Sequence, residues 1–197
     1  LVAALAAELR VMTPAGPRAA GRLAPGDTVL TLDDGATAVL WTGRRRVTEA
    51  EAAAWPALAP LLMPAGWLAP DAPRQDLRLS PRAGVLLERP DLPPGGLLVP
   101  AGTLAGRGGL CPAPRGDVTY VQIVLERHGL IGVEGVLVES LHPACLPPAA
   151  PERAAIAGAL PSCTLEADLY GSQVRPRAEA ARGGGDPGWA APGRASA

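Results

Sequence analysis

Apolar residues in this chain come in short runs broken by glycine and proline, without the three- and four-residue spacing of an amphipathic helix. Strand-like segments at residues 10–12, 28–32, 38–42, 76–79, 85–88, 97–99, 118–125, 130–133 and 136–138 predict an all-β domain. Frequent proline points the same way, because each one removes a backbone donor and crowds the preceding turn of any helix. Pro14-Ala15-Gly16 and Asp33-Asp34-Gly35 are turn sequences that supply a residue at positive φ, and each lies between apolar runs. Two hairpins are therefore expected within residues 1–40.

Two short helices interrupt this pattern. Thr48 followed by Glu51 makes a capping box for a helix over 49–55, which Pro56 limits. A second helix is expected over 151–160, with Glu152 near its positive end. No repeat-protein period is visible. From Arg182 onward the run Gly183-Gly184-Gly185-Asp186-Pro187-Gly188 has little to bury, and a disordered tail is expected.

At 197 residues the chain has room for one domain, or one domain with a tail. With no Phe and few other aromatics, its core must be built from Leu, Val and Ala. The net charge of −1 gives no field of one sign to recruit nucleic acid or an anionic membrane. Arg44-Arg45-Arg46, the one basic cluster, reads as a solvated strand edge that discourages aggregation. Cys111, Cys145 and Cys163 are far apart and form no Cys-x-x-Cys pair, so reduced thiols are expected, with no metal and no cofactor. The apolar residues 1–7 lack a basic leader and are too short for a signal peptide or a membrane span, and the expectation is a piece of a longer polypeptide.

Several blocks carry a resemblance that spans most of the chain. They are Leu9-Arg10-Val11-Met12-Thr13-Pro14-Ala15-Gly16 with Leu23-Ala24-Pro25-Gly26-Asp27-Thr28-Val29-Leu30-Thr31, then Leu40-Trp41-Thr42-Gly43-Arg44-Arg45, and Leu79-Ser80-Pro81-Arg82-Ala83-Gly84-Val85-Leu86. Val118-Thr119-Tyr120-Val121-Gln122 leads to Glu126-Arg127-His128 and Glu134-Gly135-Val136-Leu137-Val138-Glu139-Ser140-Leu141, followed later by Tyr170-Gly171-Ser172 and Arg175-Pro176. Together these resemble the Hint (hedgehog/intein) domain in its bacterial form. The resemblance implies a β horseshoe of short strands and hairpins with pseudo-twofold subdomains over residues 1–146. An extension with a short helix at 147–181 and the tail at 182–197 would follow.

It also implies self-cleavage chemistry, whose residues can be placed one at a time. Aligning Thr13-Pro14-Ala15-Gly16 with the family's Thr-Pro-x-Gly puts the nucleophilic Cys at Ala4, with Leu5 where Phe is usual. The Ser/Thr-x-x-His element, whose His protonates the scissile nitrogen, reads Ser80-Pro81-Arg82-Ala83, so the acid position is Ala83. His128 matches the family's strand His, and Gln122 stands where relatives often carry His. Glu139-Ser140 occupies the His-Asn place of inteins, and a chain without Asn has no side chain for the Asn cyclisation that completes splicing. Glu134-Gly135 replaces the usual Asn-Gly turn. Ser80 and His128 remain as vestigial candidates.

The remaining polar residues read as structural. Thr13, the earliest hydroxyl, belongs to a turn where it bonds local backbone. Asp27 is a turn former, and His142 lies in a loop. The leading expectation is a Hint-fold module, held within a larger protein, that has lost autoprocessing. A second reading keeps the activity through a nucleophile upstream of Leu1, with His128 as acid. A third is an unrelated hydrolase using Ser80 or Cys111 with His128, although Leu79-Ser80-Pro81 lacks the flanking glycines of a nucleophile elbow.

Overall fold

The computed structural model describes residues 3–160, Tyr170 and residues 172–178. The expected tail beyond Arg182, and Cys163, lie outside the described residues. The chain folds as a curled, antiparallel sheet of 13 strands with two α-helices among the described residues.

In chain order the strands are β1 (Leu5–Ala6), β2 (Arg10–Thr13), β3 (Gly16–Ala19), β4 (Thr28–Thr31) and β5 (Gly35–Val47). After helix α1 (Glu49–Ala54) come β6 (Leu61–Met63), β7 (Leu77–Leu79), β8 (Gly84–Leu87) and β9 (Leu97–Pro100). They are followed by β10 (Cys111–Pro112), β11 (Val118–Leu125), β12 (Leu130–Val133), β13 (Val136–Glu139) and helix α2 (Glu152–Ala159). Their lateral order is β10-β6-β7-β1-β11-β5-β4-β12-β13-β8-β9, with β2 paired to β12 and β3.

Curling follows from one long strand with two partners. The Gly35–Ala38 end of β5 pairs with β4, and the remainder pairs with β11 from Val39 to Val47. The register shifts between Val124 and Leu125, and a bulge of that kind bends its strand and increases the local twist. Gly43 lets the indole of Trp41 lie against the β5 backbone, since a Cβ there would sit 2.2 Å from the ring.

Both expected hairpins form, β2–β3 through a turn at Pro14-Ala15 and β4–β5 through a turn at Leu32-Asp33-Asp34, with φ of +101° at Gly16 and +66° at Gly35 where the returning strands begin. All the segments expected to be strands are strands, and 38–42 is the centre of the much longer β5. The short β1, β6 and β10 were not anticipated. Two or three residues show no alternation, and their pairing is imposed by neighbouring strands. Helix α1 carries its capping box: Thr48 Oγ1 accepts from the Glu51 amide at 3.2 Å, and Glu51 Oε2 accepts from the Thr48 amide at 2.9 Å. It stops at Ala54, one residue short of the expectation, leaving Trp55 68% exposed.

Aliphatic side chains fill the fold as the composition requires, with Leu23, Leu77, Leu79, Val85 and Val121 fully buried. Tyr120 is the large aromatic among them, and its hydroxyl donates to the Leu58 carbonyl at 3.0 Å. A second apolar cluster joins Ala3, Val124, Leu141 and Leu146 to Ile156 and Leu160 of the α2 region and to Tyr170. Burial of a side chain such as Ile156 contributes about 1.5–3 kcal/mol, which docks an otherwise short helix onto the sheet. No helix among the described residues is long and apolar enough to cross a membrane.

The arginine cluster is more engaged than a solvated edge requires. Arg44 Nη2 donates to the Leu23 carbonyl at 2.6 Å, Arg46 bonds Asp117, and Arg45 approaches Glu51 at 3.7 Å.

Candidate functional site

Strand β1 is short but central. Leu5 pairs with Val121 of β11 on one side and with Leu79 of β7 on the other. Extending both antiparallel registers by one residue sets Ala4 between Gln122 and Ser80. The position expected for a nucleophile is thus flanked by the two residues that the sequence assigned to neighbouring stations. Ala4 is fully buried in the main core. Ala3 before it has φ +40°, an uncommon conformation for a residue with a Cβ.

Ser80 and Ala83 bracket the turn after β7. Ser80 is 2% exposed, and its Oγ accepts from the Arg82 amide at 3.3 Å. The Ala83 amide donates to the Ser80 carbonyl at 2.9 Å, closing the turn, while the Ala83 carbonyl accepts from Ala101 at 2.9 Å. Ala83 is fully buried, and its methyl packs in the core.

A second group of polar side chains lies between β11 and β13. His128 is buried, and both ring nitrogens are used: Nε2 lies 3.1 Å from the Ser140 carbonyl, and Nδ1 accepts from the Val174 amide at 3.0 Å. Accepting at Nδ1 places the neutral ring's proton on Nε2, which donates to Ser140. Burial, aided by His142 nearby, pushes the His128 pKa down to about 4. The rings of His128 and His142 meet edge to face at 5.2 Å, and His142 meets Tyr170 likewise at 5.1 Å. His142 caps a 3-10 turn, Pro143–Cys145, by accepting from the Ala144 amide at 3.2 Å, which agrees with a structural role in its loop.

Glu139 is 4% exposed, yet it is fully engaged. One carboxylate oxygen accepts from the Gly84 amide at 3.0 Å and from Arg177, while the other lies 3.7 Å from His128 Nε2. Burial pushes its carboxyl above the ordinary range, against the pull of the Arg177 guanidinium. Ser140 Oγ accepts from the Gly129 amide at 3.1 Å.

The other candidates stand apart from these stations. Thr13 Oγ1 donates to the Gly16 carbonyl at 2.6 Å inside its own hairpin turn. Asp27 accepts from the Ala24 amide and from Arg18, both at 2.8 Å, and the Ala24 bond leads in holding its carboxyl below the ordinary value. Cys111 is exposed on β10, and Cys145 is a half-buried free thiol raised by burial. Among the described residues no three of His, Cys, Asp and Glu converge as metal ligands.

Sequence reasoning overlooked Val174 and Arg177, and it gave Glu139 no partner. Arg177 follows the Arg175-Pro176 block singled out in the sequence, but nothing in residue order links it to Glu139. Only the return of the C-terminal segment across the sheet joins them.

Among solved structures, the MchDnaB-1 intein is similar at 14% identity and TM-score 0.44, over 70% of this chain and 99% of that one. The Msm DnaB1 intein splicing domain bound with zinc is similar at 16% identity and TM-score 0.43, over 70% and 99% respectively. A search of curated protein sequences found no match. The family model described as the Hint domain matches residues 3–145, most of the chain and all thirteen strands, and this chain belongs to the Hint domain family.

Proposed function

We propose that this chain is a Hint domain in which the fold is retained and self-cleavage has been discarded. The observation that carries the reading is the place of Ala4: its register neighbours are Ser80 and Gln122, and its methyl has no lone pair with which to attack a carbonyl. Ala83, at the acid position, has no proton to give. His128 does not replace it, because its Nδ1 lone pair and its Nε2 proton are both committed to backbone groups. Fold and chemistry are separable, and a domain of this kind serves as a folded module.

The test is intact mass. The chain is expressed with a fused segment upstream of Leu1 and incubated with and without thiol or hydroxylamine. Unchanged mass under both conditions is expected. A fragment ending at a defined junction would overturn the reading and favour the alternative, a live domain with an upstream nucleophile, for which the uncommon φ of Ala3 is the supporting observation. Stoichiometric labelling of Ser80 or Cys111 by an active-site probe would favour the hydrolase reading instead.

A further inference from the structure

Residues 172–178 lie beyond the stretch that matches the family, and they do not belong to any of the hairpins. They run parallel to β9, the terminal strand in the sheet order. Leu98 donates its amide to the Pro176 carbonyl at 2.9 Å and accepts from the Ala178 amide at 2.8 Å. An open strand edge is a template for pairing with other chains, and this segment covers it.

The segment also fits a set of side-chain receptors. Arg177 divides its guanidinium between the buried Glu139 carboxylate and the Arg82 carbonyl, the latter at 3.0 Å. The Val174 amide donates to His128 Nδ1, and the Val174 side chain packs with Leu86, Leu98 and Leu130. Further out, Arg175 donates to the Gly95 carbonyl at 2.7 Å and to Asp33 at 2.6 Å. A carboxylate 4% exposed needs a hydrogen-bonded cation, and a planar fork suits the Glu139 and Arg82 acceptors better than an ammonium does. From the sheet itself Glu139 receives the Gly84 amide and the approach of a neutral His128.

Attachment of the segment is nevertheless thin. It rests on one backbone bridge, polar contacts and two partly buried apolar side chains, Val174 against Leu86, Leu98 and Leu130 and Ala178 against the main core, and the segment's residues are exposed or half-buried. Elements with few buried apolar contacts open at low free energy while the rest of the domain stays folded.

We propose that residues 172–178 are a detachable clasp in cis, and that the β9 edge with Glu139 and the Arg82 carbonyl is a receptor for an extended, arginine-bearing segment. In the closed state the chain's own Val174-Arg175-Pro176-Arg177 fills this receptor and blunts the edge. In the open state the same edge accepts a second extended segment of like chemistry by strand addition. The proposal is independent of whether the domain cleaves.

The test uses the full chain and its R177A, E139Q and R175A variants. Amide hydrogen exchange is followed at Leu98, Val174 and Ala178, with the β5–β11 amides reporting on the global fold. In R177A and E139Q the three clasp amides are expected to exchange roughly tenfold faster or more, while the β5–β11 amides hold. R175A, which touches only the outer anchor, should give a smaller increase. A synthetic peptide of residues 172–178 should then bind R177A at least about tenfold tighter than it binds the wild-type chain, whose receptor is occupied, and the same peptide with Ala in place of Arg177 should lose that binding. Equal peptide binding to both chains, or none, would overturn the proposal. So would unchanged clasp exchange in the variants, or parallel loss of β5–β11 protection in all three, which would make the segment an inseparable part of the core. A concentration-dependent dimer of the wild-type chain with slow clasp exchange would assign the occupant to a second copy and overturn the cis arrangement.

Discussion

The Glu139 carboxylate accepts the amide proton of Gly84 at 3.0 Å, so closely that a Cβ on Gly84 would lie 2.4 Å from its Oε1. The absence of a side chain at 84 is what lets a buried acid reach the turn after β7. Through that contact β13 is tied to the Ser80–Ala83 turn, and the two polar stations of the domain share one backbone amide.

Gly84→Ala is therefore expected to destabilise the domain by about 1–3 kcal/mol, by pushing the carboxylate off both the amide and Arg177. Urea unfolding of the variant measures this. A midpoint equal to that of the wild type would show that Glu139 moves aside without loss.

His128 makes stability depend on pH. Its folded pKa, about 4, lies below the ordinary 6.5, so the unfolded state binds the extra proton between these values. Stability from this residue is complete above pH 6.5 and is lost as pH falls through about 4, by at most about 3 kcal/mol. Glu139 works in the opposite sense, since its raised pKa means that the folded state gains stability as the carboxyl protonates. Thermal melts of wild type and His128→Gln across this range separate the two. The acid-side loss should be shallower or reversed in the variant, and parallel curves would contradict the assignment.

Restoring chemistry should require both lost stations. Ala4→Cys in the upstream fusion places a thiol between Ser80 and Gln122 but supplies no acid, and the expected outcome under thiol is an intact chain. Adding Ala83→His brings the acid, worth on the order of 10²–10⁴-fold in such reactions, and should yield measurable thiol-dependent cleavage. Each change enlarges a fully buried alanine, so circular dichroism must first confirm the fold. Cleavage by the single variant would show that another group already serves as acid.

Glu134 and Gly135 form the β12–β13 turn with φ of +50° and +89°, the geometry of a type I′ hairpin. Glutamate is poorly suited to the first of these values. Glu134→Asn should stabilise the domain by about 0.5–1 kcal/mol, offset in part by loss of the 3.3 Å bond from the Arg10 amide to the Glu134 carboxylate. A rise in melting temperature checks this, and a fall would mean that the Arg10 bond dominates.

What the sequence determined by itself was local. Turns at Gly16, Gly35 and Gly135, the capping box of Thr48 and Glu51, and the long apolar run of β11 are set by backbone sterics, capping and alternation among near neighbours. The blocks around Leu9, Leu79 and Glu134 added the family. Tertiary structure alone decided what surrounds the stations. Two residues of β1 have no readable pattern, yet their pairing with β7 and β11 is what puts Ala4 between Ser80 and Gln122. Arg177 and Glu139 are 38 residues apart, and no propensity or spacing links them. Their pairing arises because a carboxylate enclosed by the curled sheet requires a cation, and the returning C-terminal segment brings one within reach.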